Sequence, residues 1–158
     1  MTNSTKYASR ASYSSYLVGL ARAAAVRGTC AKRQVGAVIA GADKRIVTVN
    51  YNGAPSGQPH CIDAPCKALT LAAPASHLAC RSVHAEANAL LAAGPLARNG
   101  WMGITTSPCY ECAKLIVAAG VRHLVLGEVN RLFEDTASYS EAPRDLLISA
   151  GVILYFES

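Results

Sequence analysis

Apolar residues recur at helical spacing over 13–27, where Tyr16, Leu17, Leu20, Ala21 and Ala24 fall on one face and Gly28 offers a stop. The period then shortens. Segments 35–40 and 45–50 are β-branched runs separated by Gly41, Ala42, Asp43 and Lys44, a turn-prone connection that predicts a hairpin. Segment 51–77 is rich in Pro, Gly, Cys and Ala and has no clear period. It reads as a loop of a length that compact domains usually keep for function or pin with a ligand. Beyond it, helices are predicted over 82–93, ended by Gly94-Pro95, over 109–119, ended by Gly120, and over 143–150. Strands are predicted over 102–106, 121–126 and 152–156, and 131–140 reads as loop. No internal repeat or linker interrupts the chain. Strands alternating with helices predict a layered α/β fold, and the opening hairpin makes its sheet mixed.

Composition narrows this further. A chain of 158 residues, 51% apolar and 16% charged, suits a single domain over 1–158 with one core, and excludes a disordered chain. No apolar run is long enough to span a bilayer, and residues 1–10 lack a signal-peptide core. A soluble, intracellular protein is therefore expected, cytoplasmic and without a membrane partner. The net charge of +5 comes from scattered basic residues rather than a block, so most of them read as solvated surface. That charge suits a small anion such as a nucleotide phosphate as well as it suits nucleic acid. Six cysteines without an export signal point away from a disulfide scaffold and towards metal ligands or buried thiols.

Two segments carry chemistry. His84-Ala85-Glu86 opens one expected helix, and Pro108-Cys109-Tyr110-Glu111-Cys112 opens another. One imidazole and two thiolates make a catalytic zinc set with a fourth position open. The spacing of Cys109 and Cys112 lets them share a helical face and chelate one ion. Free N–H groups at both helix starts favour anionic ligands there. Glu86 can face the open position without ligating the metal. It would take a proton from the zinc-acidified water and deliver it to the ring nitrogen and the leaving amine. Each piece has a plainer reading: a structural histidine, a redox pair or zinc clip, a carboxylate favoured by the helix dipole. The order His-x-Glu, then Pro-Cys-x-x-Cys, is the zinc-deaminase signature, and the conjunction favours catalysis.

Cys30, Cys61, Cys66 and Cys80 remain. They would hold a second, closed, structural zinc that pins the long loop, with His77 as a substitute ligand, or they are ordinary buried thiols. The turn Asn52-Gly53-Ala54-Pro55-Ser56-Gly57 would wrap a sugar and phosphate, or it is simply a tight turn.

With these residues assembled, the chain resembles the deoxycytidylate (dCMP) deaminases of the cytidine deaminase-like superfamily. The likeness is carried by Cys30 with Val35-Gly36-Ala37-Val38-Ile39, by Tyr51-Asn52-Gly53-Ala54-Pro55-Ser56-Gly57 with His60-Cys61, by His84-Ala85-Glu86-Ala87-Asn88-Ala89-Leu90, and by Ser107-Pro108-Cys109-Tyr110-Glu111-Cys112-Ala113-Lys114. Bacterial and phage members look most similar, several with a second zinc on residues equivalent to Cys30 and Cys61. The resemblance implies a three-layer α/β/α fold with a mixed five-stranded sheet, and zinc-dependent hydrolysis of dCMP to dUMP and ammonia. It implies that Asn52, with Gly53, binds the deoxyribose or phosphate, and that the Ala85 backbone and the Ser107 region contact the pyrimidine. It also implies a homo-oligomer, often a hexamer, activated by dCTP and inhibited by dTTP.

The chain departs from the family pattern at Gly103, where an aromatic is usual, at Gly94-Pro95 before Arg98-Asn99-Gly100, and at Leu126, where Tyr is usual. The first departure would widen the base pocket for a 5-substituted cytosine. The second bears on allosteric control. A deaminase of bases in nucleic acid, such as a tRNA adenosine deaminase, is opposed by the lack of a basic stripe or stacking platform. A nucleoside deaminase would need no phosphate cradle, and in a non-catalytic zinc module Glu86 would be idle.

Overall fold

Ser12 starts the first helix. Its side chain accepts a hydrogen bond from the Ser15 N–H at 3.0 Å, satisfying one of the donors a helix start leaves free. The computed structural model describes residues 10–72, 75, 79–128 and 142–157. Helix α1 (Tyr13–Ala25) buries Leu17, Val18, Ala21 and Ala24. The buried stripe is thus rotated from the expected one, because Tyr16 is 48% exposed and Val18 takes its place inside.

The hairpin forms as expected. Strand β1 (Gly36–Ala40) pairs antiparallel with β2 (Ile46–Tyr51), with a register shift at Ile39/Ala40. Lys44 turns the chain at φ +67°, and Gly41 N–H bonds back to Arg45 O. On its other side β1 pairs antiparallel with β3 (Trp101–Ile104), which runs parallel to β4 (His123–Leu126), which runs parallel to β5 (Ile153–Phe156). The five-stranded sheet therefore has the order β2-β1-β3-β4-β5 and is mixed.

Helices α2 (Ala85–Ala93), α3 (Tyr110–Ala118) and α4 (Ala142–Ser149) cover one face. Their Ala85, Ala89, Ile116 and Leu147 pack on Ala37, Ile39, Met102, Ile104 and Leu124. Helix α1 covers the other face, packing on Val38, Ala40 and Val125. Alternate residues of β1 thus serve opposite layers, which is why the whole strand is buried and apolar. The three layers match the fold expected from the resemblance. Consecutive parallel strands need crossover helices, and the uniform hand of such crossovers puts α3 and α4 on the same face.

The expected helix over 82–93 starts later, at Ala85. Val83 and Gly53 exchange backbone hydrogen bonds at 3.2 and 2.8 Å, so this stretch is extended until His84. Among its described residues, the segment expected as loop contains the Gly53 half of this bridge and a 3-10 turn, Lys67–Leu69. Residues 131–140 and His77 lie outside the described residues.

Candidate active site

The site is built at two helix starts on one face of the sheet. His84 and Cys109 are the extended cap residues of α2 and α3, with ψ of 150° and 170°. Cys109 is therefore just outside the helix that holds Cys112, and the two sulfurs converge from a cap and a first turn rather than along one helical face. His84 Nδ1 lies 3.5 Å from Cys109 Sγ and 3.4 Å from Cys112 Sγ. A tetrahedral zinc with Zn–S near 2.3 Å and Zn–N near 2.1 Å separates its N and S ligands by about 3.6 Å. The spacing fits zinc. Among the described residues this is the one group of three metal-capable side chains whose ligand atoms lie within 4.8 Å of each other. Cys112 is buried while His84 and Cys109 are open to solvent, so the fourth position has an accessible side.

The electrostatics favour a cation. Hydrogen bonds from Cys112 and His84 hold the Cys109 thiol down to about 4. The hydrogen bond to Cys109, burial and the nearby Glu86 push Cys112 up, and the bond to Cys109 raises His84. A divalent ion bound here would take the place of the protons that these groups share. Glu86, in the first turn of α2, is 3% exposed. Burial drives its carboxyl above the ordinary carboxylate range, against the opposing pull of its own backbone N–H and His84. A carboxyl raised by burial next to an open metal position suits proton transfer near neutral pH.

The other expected contacts are dispersed around this centre. Asn52 is buried, its Oδ1 accepting from Val35 N–H and its Nδ2 donating to Arg33 O, both at 2.8 Å. It ties the end of β2 to the approach of β1. Gly53 sits where a Cβ would meet Thr29 Oγ1 at 2.7 Å, so any side chain there would have to displace that hydroxyl. Ala85 is fully buried at the start of α2. Ser107 lies on the loop from β3 to α3, its hydroxyl 3.5 Å from Glu128 O. Gly103 overturns its expected role: a Cβ there would meet Leu17 Cβ at 2.8 Å, on the α1 side of the sheet. The missing aromatic makes room for α1 and does not widen the base pocket.

Cys61 and Cys66 are buried together with Ala68, and Cys80 packs against them. The Arg81 guanidinium donates to Ala64 O beside this cluster, and its Nε is buried with no hydrogen-bond partner. The sulfurs of Cys30, Cys61, Cys66 and Cys80 do not gather into a ligand shell like that of His84, Cys109 and Cys112.

Sequence reasoning missed two cavities. One, of about 290 Å³, is lined by Thr29, Gly53, His60 and Asn88 among others, and Thr29 Oγ1 is buried there without a partner. The second, of about 240 Å³, has Arg22, Arg33, Thr105, Thr106 and Glu128 among its walls. Arg22 comes from α1 and Arg33 from the loop before β1, so this cavity exists only where those two segments pack.

Comparison with known proteins follows the same lines. Residues 11–128 match the family model described as the cytidine and deoxycytidylate deaminase zinc-binding region. The deoxycytidylate deaminase of Mycobacterium phage D29 is 39% identical over 127 residues, covering 74% of this chain and 95% of the phage protein. That of Saccharomyces cerevisiae is 32% identical over 154 residues, covering 88% of this chain and 49% of the yeast protein. Among solved structures, the dCMP deaminase of cyanophage S-TIM5 in complex with dCMP and dUMP shares the fold, with a TM-score of 0.67 at 24% identity over 88% of this chain and 92% of that one. The match spans the stretch in which the zinc-spaced triangle and buried Glu86 are assembled, and the chain belongs to the cytidine and deoxycytidylate deaminase zinc-binding family.

Proposed function

We propose that the chain catalyses zinc-dependent hydrolysis of dCMP to dUMP and ammonia. The observation that carries this reading is a buried Glu86 carboxyl beside an accessible His84–Cys109–Cys112 triangle of zinc dimensions. The names of the relatives at 39% and 32% identity support the choice of substrate. Zinc held by the triangle would supply the Lewis acidity that makes water a nucleophile at neutral pH.

The chain's own residues do the rest. Glu86, its carboxyl raised by burial, takes a proton from the attacking water and passes it to N3 of the cytosine. A second transfer to the exocyclic nitrogen lets it leave as ammonia. In this reading the Ala85 backbone at the start of α2 and the Ser107 region contact the pyrimidine. Asn52, with Gly53, is the proposed contact to the deoxyribose or phosphate. With Gly103 turned towards α1, its lack of an aromatic gives no support to a 5-substituted base, and dCMP itself is the substrate proposed.

The test is loss of ultraviolet absorbance from dCMP beside deoxycytidine, CMP and 5-methyl-dCMP, with Glu86→Gln as control. Turnover of dCMP that vanishes in the variant supports the reading. Turnover confined to nucleosides or to RNA would replace it with one of the rival deaminase activities.

Three finer points belong to the same proposal. A second, structural zinc rests on the shared cluster of Cys61, Cys66 and Cys80, and a metal count near one rather than two per chain would sink it. Regulation by dCTP and dTTP rests on the cavity with the unpartnered Thr29 hydroxyl, which a polar ligand would satisfy. Equal dCMP turnover with and without dCTP would argue against it. A homo-oligomer, with a hexamer as its expected size, is tested by light scattering. No helix among the described residues is long and apolar enough to cross a membrane, and a cytoplasmic location is part of the proposal.

A further inference from the structure

We propose that Asn88 is a positioning residue for the metal triangle: its side chain fastens the first turn of α2, and with it His84 and Glu86, to the end of β2; this rests on the zinc site and activity proposed above. Asn88 stands one turn beyond His84, and its backbone N–H bonds His84 O at 3.0 Å. Its Nδ2 reaches out of the helix and donates to Tyr51 O at 2.9 Å. Asparagine is a poor helix former, and Asn88 lies in the interior of α2, so the helix by itself gains nothing from it. The gain is tertiary, a bond between residues 37 apart in the chain.

The carbonyl that receives this bond belongs to a braced stretch. Tyr51 is paired with Gly36 at the end of the β1–β2 ladder. Asn52 follows, tied through its side chain to Val35 N–H and Arg33 O. Gly53 comes next and exchanges backbone hydrogen bonds with Val83, the residue before His84. One stretch of three residues therefore holds the start of α2 from both sides of His84, through Gly53 just before it and through Tyr51 one turn after it. A bridge at one point leaves a helix start a pivot, and a second bridge one turn on removes it. That pivot matters because His84 Nδ1 has to meet two sulfurs from another helix start at 3.4 and 3.5 Å, and Glu86 rides on the same turn. Groups that orient a metal ligand from behind are worth roughly tenfold to a hundredfold in metal affinity or activity. Asn88 acts through His84 and Glu86, not on the substrate.

The experiment compares wild type with Asn88→Ala and Asn88→Gln. Two quantities are read: the Kd for the zinc ion that Cys112→Ser removes, by competition with a chromogenic chelator, and kcat and KM for dCMP at saturating zinc. Alanine is the better helix former, so Asn88→Ala keeps α2 and takes away the tether. In this variant the zinc Kd rises by roughly tenfold to a hundredfold, and kcat falls by roughly tenfold or more with KM little changed. Asn88→Gln, which keeps an amide N–H on a longer arm, recovers part of both. An unchanged zinc Kd in Asn88→Ala overturns the assignment, and losses as large in Asn88→Gln as in Asn88→Ala overturn the hydrogen bond as its basis. Zinc affinity is read without turnover, so wild type that binds zinc but leaves dCMP intact overturns the proposed activity while the zinc affinities still judge Asn88. Wild type that binds no zinc overturns both.

Discussion

His84 Nδ1 and Cys112 Sγ stand 3.4 Å apart although 28 residues separate them in the chain. Two helix starts, each delivered by a different extended segment, have to arrive at one point for this contact to exist. Removing either ligand breaks the only preformed triangle among the described residues. Cys112→Ser is expected to lower zinc content by about one ion per chain and to abolish deamination together with it. Metal analysis of the purified variant beside wild type checks this, and a variant that kept its full zinc would refute the ligand set.

Glu86→Gln should separate chemistry from stability. Deamination is expected to fall by roughly a hundredfold to ten-thousandfold, the usual contribution of a positioned proton carrier. The same change should stabilise the metal-free protein at neutral pH. Burial raises the folded-state carboxyl above its unfolded value near 4.3, so the folded chain holds the proton longer. Unfolding free energy from this group then declines as pH rises from that unfolded value through the raised folded one. Glutamine has no such loss. Melting curves for metal-free wild type and variant should coincide near pH 4 and part above it, with the variant higher; curves that stay together to pH 8 would count against a buried, raised carboxyl.

Asn52→Ala removes an acceptor from Val35 N–H and a donor from Arg33 O in a buried place. Unpaired buried polar groups cost about 1–3 kcal/mol each, so a loss of about 2–4 kcal/mol is expected in urea unfolding. The approach to β1 loosens with it. A change under about 0.5 kcal/mol would show that Asn52 is not the brace described.

Gly103→Ala places a methyl 2.8 Å from Leu17 Cβ and 3.2 Å from the Leu17 backbone. Overpacking of this kind destabilises by about 1–3 kcal/mol. The ratio of dCMP to 5-methyl-dCMP turnover should stay unchanged, because the added atom lies on the opposite side of the sheet from the site. A shifted ratio would return Gly103 to the base pocket.

Element types and the chemical signature were legible without a structure. The 3.6 and two-residue periods report burial directly, and His84, Glu86, Cys109 and Cys112 stand in short local spacings that a helix start converts into geometry. Boundaries were less legible. Helix α2 begins three residues late because Val83 is paired with Gly53 across the long loop, a contact between segments that no local pattern announces.

By itself the sequence determined the mixed α/β order, the residues proposed to hold zinc and the carboxylate proposed to carry the proton, since each depends on residues close along the chain. Tertiary structure decided which face Gly103 serves, that Asn52 braces Val35 and Arg33, that Arg22 and Arg33 share one cavity, and that Cys61, Cys66 and Cys80 cluster. Those facts follow from how α1, the long loop and the sheet pack against one another. Packing joins distant segments, and its result is not contained in any one stretch of the chain.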